Sequence, residues 1–143
     1  MYNDPTKKLR LLFDNNNFEA AIDEIDRLFK IYGEKPELYD IRAMSLESLG
    51  FYLDAIDDYT KYLSHDPNCA NVYFLRGSAK QQVGQYPESK SDFEKAIKLN
   101  PNELIYRSSL FSVSMFVDNP NIAKMATMNG VDSKKLIRRN TSK

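Results

Sequence analysis

The sequence predicts an all-α solenoid of antiparallel helix pairs, and three observations carry that reading. First, residues 36–69 and 70–103 align without a gap at a spacing of 34. Eight positions are identical: Tyr39/Tyr73, Arg42/Arg76, Gly50/Gly84, Tyr52/Tyr86, Asp58/Asp92, Lys61/Lys95, Pro67/Pro101 and Asn68/Asn102. Second, each stretch holds two apolar stripes at steps of three and four, the spacing of one helix face. Third, glycine separates the two stripes and proline closes the second. A fixed period of this size marks one helix-pair unit stacked repeatedly.

The opening unit, residues 2–35, keeps the same phase. Asp4 and Pro5 supply an N-cap and a first-turn proline. Asn15, Asn16 and Asn17 stand where the glycine turn falls, since asparagine tolerates left-handed backbone. Phe18, Ala21, Ile25 and Leu28 then form a second apolar stripe. In the next unit Leu38, Tyr39, Ala43, Leu46 and Leu49 make the first helix, and Tyr52, Ala55, Ile56, Tyr59 and Leu63 the second. Gly50 ends the first by adopting left-handed geometry. Pro67 stops the second, because proline lacks an amide donor and restricts its predecessor.

The third unit repeats this with Val72, Tyr73, Gly77 and Val83, then Tyr86, Phe93, Ala96 and Ile97. Pro87 falls in a first turn, where its missing N–H costs little. A degenerate fourth unit, 104–130, still reads as a helix over 104–117, a turn at Asp118-Asn119-Pro120, and a shorter helix containing Ala123. Residues 131–143 are a basic tail or short helix, capped by Asp132 or Ser133.

These residues resemble the tetratricopeptide repeat family. Its unit favours an aromatic at position 4, small residues at 8 and 20, glycine at 15, aromatics at 17 and 24, alanine at 27 and proline at 32. Counting Pro36 as position 1, the second unit answers with Tyr39, Ala43, Gly50, Tyr52, Ala55, Tyr59 and Pro67, and departs at Tyr62. The third answers with Tyr73, Gly77, Gly84, Tyr86, Ser89, Phe93, Ala96 and Pro101. The resemblance implies a right-handed superhelix over residues 1–130 whose first helices line a concave groove for a peptide or a partner helix. Carried over by position, the lining includes Arg10, Ile41, Met44, Phe74, Leu75, Ser78, Ile105, Ser109 and Ser112, with Asn3, Asp40, Glu47 and Gln82 among the remainder. Members of one branch hold acidic chaperone termini in a basic clamp. The clamp positions here carry Thr6, Arg10, Ile41, Asn71 and Leu75, a poor set for a carboxylate. Ile41, Met44, Phe74, Leu75 and Ile105 instead form an apolar centre, suited to an apolar or amphipathic segment unless the fourth unit or the tail folds back over it.

Catalytic chemistry has little to stand on. His65 is the single histidine and Cys69 the single cysteine, so no two-histidine metal site or internal disulfide forms. Neither a phosphate-cradling glycine loop nor an oxyanion element accompanies them. Asp54, Asp57 and Asp58 read as a solvated helix face. Arg42 and Arg76 read as packed stems hydrogen-bonded to nearby carboxylates or carbonyls. No cofactor, no nucleic-acid partner and no membrane insertion are expected, because no apolar run approaches the length of a span. A reducing, cytoplasmic setting is expected from the cysteine usage.

Residues 1–60 carry 13 acids and 7 bases, and residues 61–143 the reverse. That split is either surface drift or a lengthwise dipole that orients a partner or favours end-to-end stacking. The tail's Lys134-Lys135-Leu136-Ile137-Arg138-Arg139 is too short to argue for nucleic acid or membrane. Arg138 to Ser142 also resembles a basophilic kinase site. The expected function is non-catalytic: a protein-binding adaptor, similar to co-chaperones and small secretion chaperones, with self-assembly through charge-opposed ends or the fourth unit as the alternative.

Overall fold

A computed structural model describes the backbone of residues 4–130 and 133–140, and their side chains except at 126–130, 133 and 134. Asn3, Asp132, Thr141 and Ser142 lie outside the described residues. Among those described, the regular structure is helical throughout. The order is α1 (Pro5–Asp14), α2 (Phe18–Tyr32), a 3₁₀ turn (Pro36–Leu38) leading into α3 (Tyr39–Ser48), α4 (Tyr52–His65), α5 (Ala70–Gln82), α6 (Tyr86–Leu99), α7 (Leu104–Asp118), α8 (Pro120–Gly130) and a closing 3₁₀ turn (Ser133–Leu136). Each helix packs chiefly on its neighbours in chain order, the arrangement of a solenoid.

The turns within the first three pairs share one geometry. Asn16, Gly50 and Gly84 have φ of +58°, +87° and +79°. The amide after each donates to a carbonyl five residues back: Asn17 to Leu12 at 2.8 Å, Phe51 to Leu46 at 2.8 Å and Gln85 to Lys80 at 2.9 Å. This is the Schellman closure, and it turns the chain sharply enough for the next helix to run back. At the first helix Asp4 Oδ1 accepts from the Thr6 amide at 2.9 Å and from its hydroxyl at 2.7 Å.

Small residues set how closely the helices approach. Ala21, Ala55 and Ser89 occupy one repeat position and are fully buried. The Ser89 hydroxyl donates to the Gly77 carbonyl across the pair at 2.7 Å. A Cβ on Gly77 would stand 2.9 Å from the Phe93 ring. Tyr59 and Phe93, one repeat apart, are fully buried against these small residues, each contributing about 2–3 kcal/mol of apolar burial. The fourth pair departs. Phe111 takes the place of Ala43 and Gly77, and it is 74% exposed, so α8 does not close over α7 as α4 closes over α3.

Four of the eight repeated identities form one assembly in each unit. The Arg42 guanidinium lies 5.4 Å from the Tyr39 ring centre and Lys61 Nζ 5.3 Å from it, while Arg42 donates two bonds to Asp58 at 2.7 and 2.9 Å. One repeat later Arg76 and Lys95 lie 5.6 and 5.9 Å from the Tyr73 ring, and Arg76 donates to Asp92 at 2.7 and 2.8 Å. Bidentate pairing and cation–π contact both suit the planar guanidinium.

Candidate functional site

The candidate groove residues sit on α1, α3, α5 and α7, and the structure separates them into three kinds. Ile41, Met44 and Leu75 are half-buried and pack against the buried core, Ile41 on the cluster around Leu9 and Leu38, Met44 and Leu75 on the cluster around Ala43 and Tyr59. Phe74 is wedged between repeats, its ring centre 5.8 Å from Phe93 and 5.1 Å from Tyr106. These four therefore work as floor and spacer, with only part of each surface available. Ser78 and Ser109 are half-buried, and the Ser78 hydroxyl is turned back to the Phe74 carbonyl at 3.0 Å. Arg10, Ile105 and Ser112 are exposed.

The open apolar surface lies on α7. Ile105 and Met115 are about half exposed, and Leu104 and Phe111 project still further. Phe116 instead turns inward and stacks on Tyr86 at 4.7 Å. The only charges on this helix are Arg107 and the closing Asp118.

Two carboxylates of α3 sit beside the floor. Asp40 accepts from the Ile41 amide at 2.8 Å, and burial pushes its carboxyl up despite that bond. Burial likewise raises the Glu47 carboxyl, opposed by the Tyr59 hydroxyl that donates to it at 2.6 Å. The Glu47–Tyr59 bond has no signal in the sequence, because the equivalent glutamate is absent from the next repeat.

Between α2, α3 and α4 lies a cleft of about 790 Å³ whose charged lining is Asp23, Asp26, Asp54, Asp57 and Asp58 together with Arg27, Lys30, Arg42 and Lys61. The tail enters it. Arg138 donates to Asp57 at 2.6 Å and Asp54 at 3.2 Å, the Arg139 amide donates to Asp54 at 2.6 Å, and the Arg139 side chain donates to Asp26. Lys135 reaches Gln82, at the end of α5, at 2.9 Å. The solvated face expected at Asp54, Asp57 and Asp58 is thus corrected: Asp58 is buried under Arg42, and the other two hold the tail. The hydrogen bonds of Arg138 and Arg139 given above fall on the second helices, away from the candidate groove positions. Sequence reading missed this contact, and its one available signal was the opposite charge of the two halves.

His65 is exposed on the last turn of α4 and Cys69 is a half-buried free thiol. Among the described residues no cluster of three or more histidine, cysteine or acidic side chains is arranged to hold a metal. No described helix is long and apolar enough to cross a membrane.

Stacked helix pairs with Schellman turns, small residues at the crossings and buried aromatics define a helical-repeat scaffold. The description "Tetratricopeptide repeat" matches residues 70–103. Tetratricopeptide repeat protein 13 of Homo sapiens is 30% identical over 103 residues, which is 70% of this chain and 12% of that protein. The chain therefore spans a small fraction of that relative. The first TPR of Spaghetti (RPAP3), bound to the HSP90 peptide SRMEEVD, superposes with a TM-score of 0.74 at 22% identity, covering 80% of this chain and 91% of that one. The Yersinia enterocolitica type III secretion chaperone SycD, in complex with a peptide of the translocator YopD, gives 0.71 at 16% identity, covering 78% and 90%. Residues 70–103 are a tetratricopeptide repeat, and the other helix pairs share its fold.

Proposed function

We propose that the groove formed by α1, α3, α5 and α7 holds an apolar or amphipathic segment of another protein, without catalysis. The observation that carries this reading is the uncovered apolar surface of α7, where Ile105 is 51% exposed beside Ser108 and Ser112. Apolar side chains left in water next to small polar ones suit a helix or strand that brings its own apolar face. The two peptide-bound neighbours support a segment as the form of the ligand. An acidic chain terminus fits poorly, because Ile41 and Leu75 occupy the positions where a clamp would need basic groups.

The test is affinity capture from the source cells with wild type, Ile105→Asp and the outer-face control Glu94→Gln, exposed on α6. Loss of the captured protein with Ile105→Asp alone, at unchanged helicity, is the expected result. Equal capture by a folded Ile105→Asp contradicts the proposal.

A second reading, self-association, is favoured by Phe111 and Leu104 standing open at the fourth pair. It predicts a concentration-dependent mass in light scattering that Phe111→Glu abolishes.

A further inference from the structure

We propose that Asp26, Asp54 and Asp57, on the α2–α4 side of the cleft, form a binding site for a basic segment of a partner protein bearing two adjacent arginines, and that Lys135–Asn140 is its resident, displaceable occupant. The proposal does not rest on the groove.

The first support is how the occupant is read. Asp54 receives both the Arg138 guanidinium and the Arg139 backbone amide, Asp57 receives Arg138, and Asp26 receives Arg139. A carboxylate that takes one side chain and the neighbouring main-chain donor fixes the strand direction as well as the charge. Leu136 and Ile137, just before the pair, remain about half exposed. The contact therefore selects the two arginines and the main-chain amide between their side chains, with little contribution from apolar burial.

The second support is broken symmetry. The scaffold assembly of Arg42 with Asp58 recurs as Arg76 with Asp92. The acids that hold the tail do not recur as a set: 34 residues beyond Asp26, Asp54 and Asp57 stand Thr60, Glu88 and Ser91. Thr60 still serves Arg76, accepting from it at 3.1 Å, so the stack needs an acceptor at that position and not a charge. The extra negative charge is concentrated where the tail lands.

The third support is that half of the contact is loosely held. Arg138 and Asp57 are each more than half exposed, and such pairs are weak and screened by salt, while Arg139 and Asp26 are about three-quarters buried and form the firmer anchor. Attachment to the same chain keeps the tail at high local concentration. A competing segment in solution therefore binds well only where the tail's own arginines are removed or drawn away.

The experiment uses the full chain and one probe, a fluorescent peptide of sequence Ser-Lys-Lys-Leu-Ile-Arg-Arg-Asn with blocked ends. Anisotropy is read against wild type, Arg138→Ser/Arg139→Ser, and that double variant carrying Asp54→Asn/Asp57→Asn, each checked for helicity. The double variant should bind about tenfold more tightly than wild type at low salt. Binding should fall at 0.5 M salt, where the Debye length is roughly 4 Å, and vanish when the two aspartates are neutralised or the peptide arginines become glutamine. Equal binding by wild type and double variant, no binding by the double variant, or binding indifferent to Asp54 and Asp57 overturns the proposal. If light scattering shows wild type dimeric and the double variant monomeric, the occupant is a second copy's tail and the partner segment is excluded.

Discussion

Arg42 and Arg76 stand one repeat apart and make the same three reaches. Each donates two bonds to an aspartate 16 residues ahead and a third to a residue 16 behind, Asp26 for Arg42 at 2.8 Å and Thr60 for Arg76 at 3.1 Å. The forward bonds tie the two helices of one pair, and the backward bond ties that pair to the one before it. Burial works against the Arg42 charge, but the Asp58 and Asp26 carboxylates outweigh it and hold the guanidinium above its ordinary pKa.

Removing these arginines is therefore expected to cost unequal amounts. Arg42→Ala leaves Asp58 buried without its partner, and urea denaturation should show a loss of about 3–5 kcal/mol. Arg76→Ala should cost less, about 1–3 kcal/mol, because Lys80 still pairs with Asp92 at 3.0 Å. A larger loss for Arg76→Ala contradicts the account.

The repeat itself was legible because its physics is local. Glycine at the turns, small residues at the crossings and aromatics at fixed offsets all leave a 34-residue mark, and the structure places each where the period puts it. The stems of Arg42 and Arg76 were also readable as packed and hydrogen-bonded to carboxylates. The docking of Arg138 and Arg139 was not, since more than 80 residues separate them from Asp54 and Asp57 and no periodicity links them. Phe74 shows another limit of position-based reading: its groove position and its role as a spacer against Tyr106 share one side chain.

Two glycine substitutions separate sterics from backbone strain. Gly77→Ala drives a methyl into the Phe93 ring and should cost about 1–3 kcal/mol, recovered in part by Phe93→Leu. Gly50→Ala meets open space but keeps a φ of +87°, so it should cost about 1–2 kcal/mol, with no recovery from Phe93→Leu. Thermal melts of wild type, the three single variants and the two double variants decide this.

Two carboxylates give opposite pH signatures. Hydrogen bonding from Arg27, joined by Lys8 and opposed by burial, holds Glu24 below its ordinary pKa. Its contribution is present above the unfolded pKa of about 4.3 and is lost as pH falls through the lower folded value. Glu24→Gln should therefore destabilise at pH 7 and flatten the acid limb. Glu47 is raised by burial, so its unfolded form ionises first and stability falls as pH rises from about 4.3 through the folded value. Glu47→Gln keeps an acceptor for Tyr59, should stabilise the protein at pH 7, and should change little at pH 3. Chemical denaturation across pH measures both signs.

Two tyrosine hydroxyls should behave differently on deletion. Tyr59→Phe strips the donor from the half-buried Glu47 and should cost about 1–3 kcal/mol at pH 7. The Tyr39 hydroxyl is buried and reaches no acceptor at full hydrogen-bond geometry; its polar interaction is with the exposed Glu34 carboxylate, so Tyr39→Phe should cost less than Tyr59→Phe, within about 0.5 kcal/mol of wild type. A loss for Tyr39→Phe as large as that for Tyr59→Phe contradicts this.

The central claim is that a partner's segment lies along the first helices. Photo-crosslinking residues introduced singly at Ser112, on α7 in the groove, and at Ser91, exposed on α6, test it against the captured partner. The account predicts crosslinks from position 112 and none from position 91. Crosslinks confined to position 91 would place the partner on the outer face and contradict it.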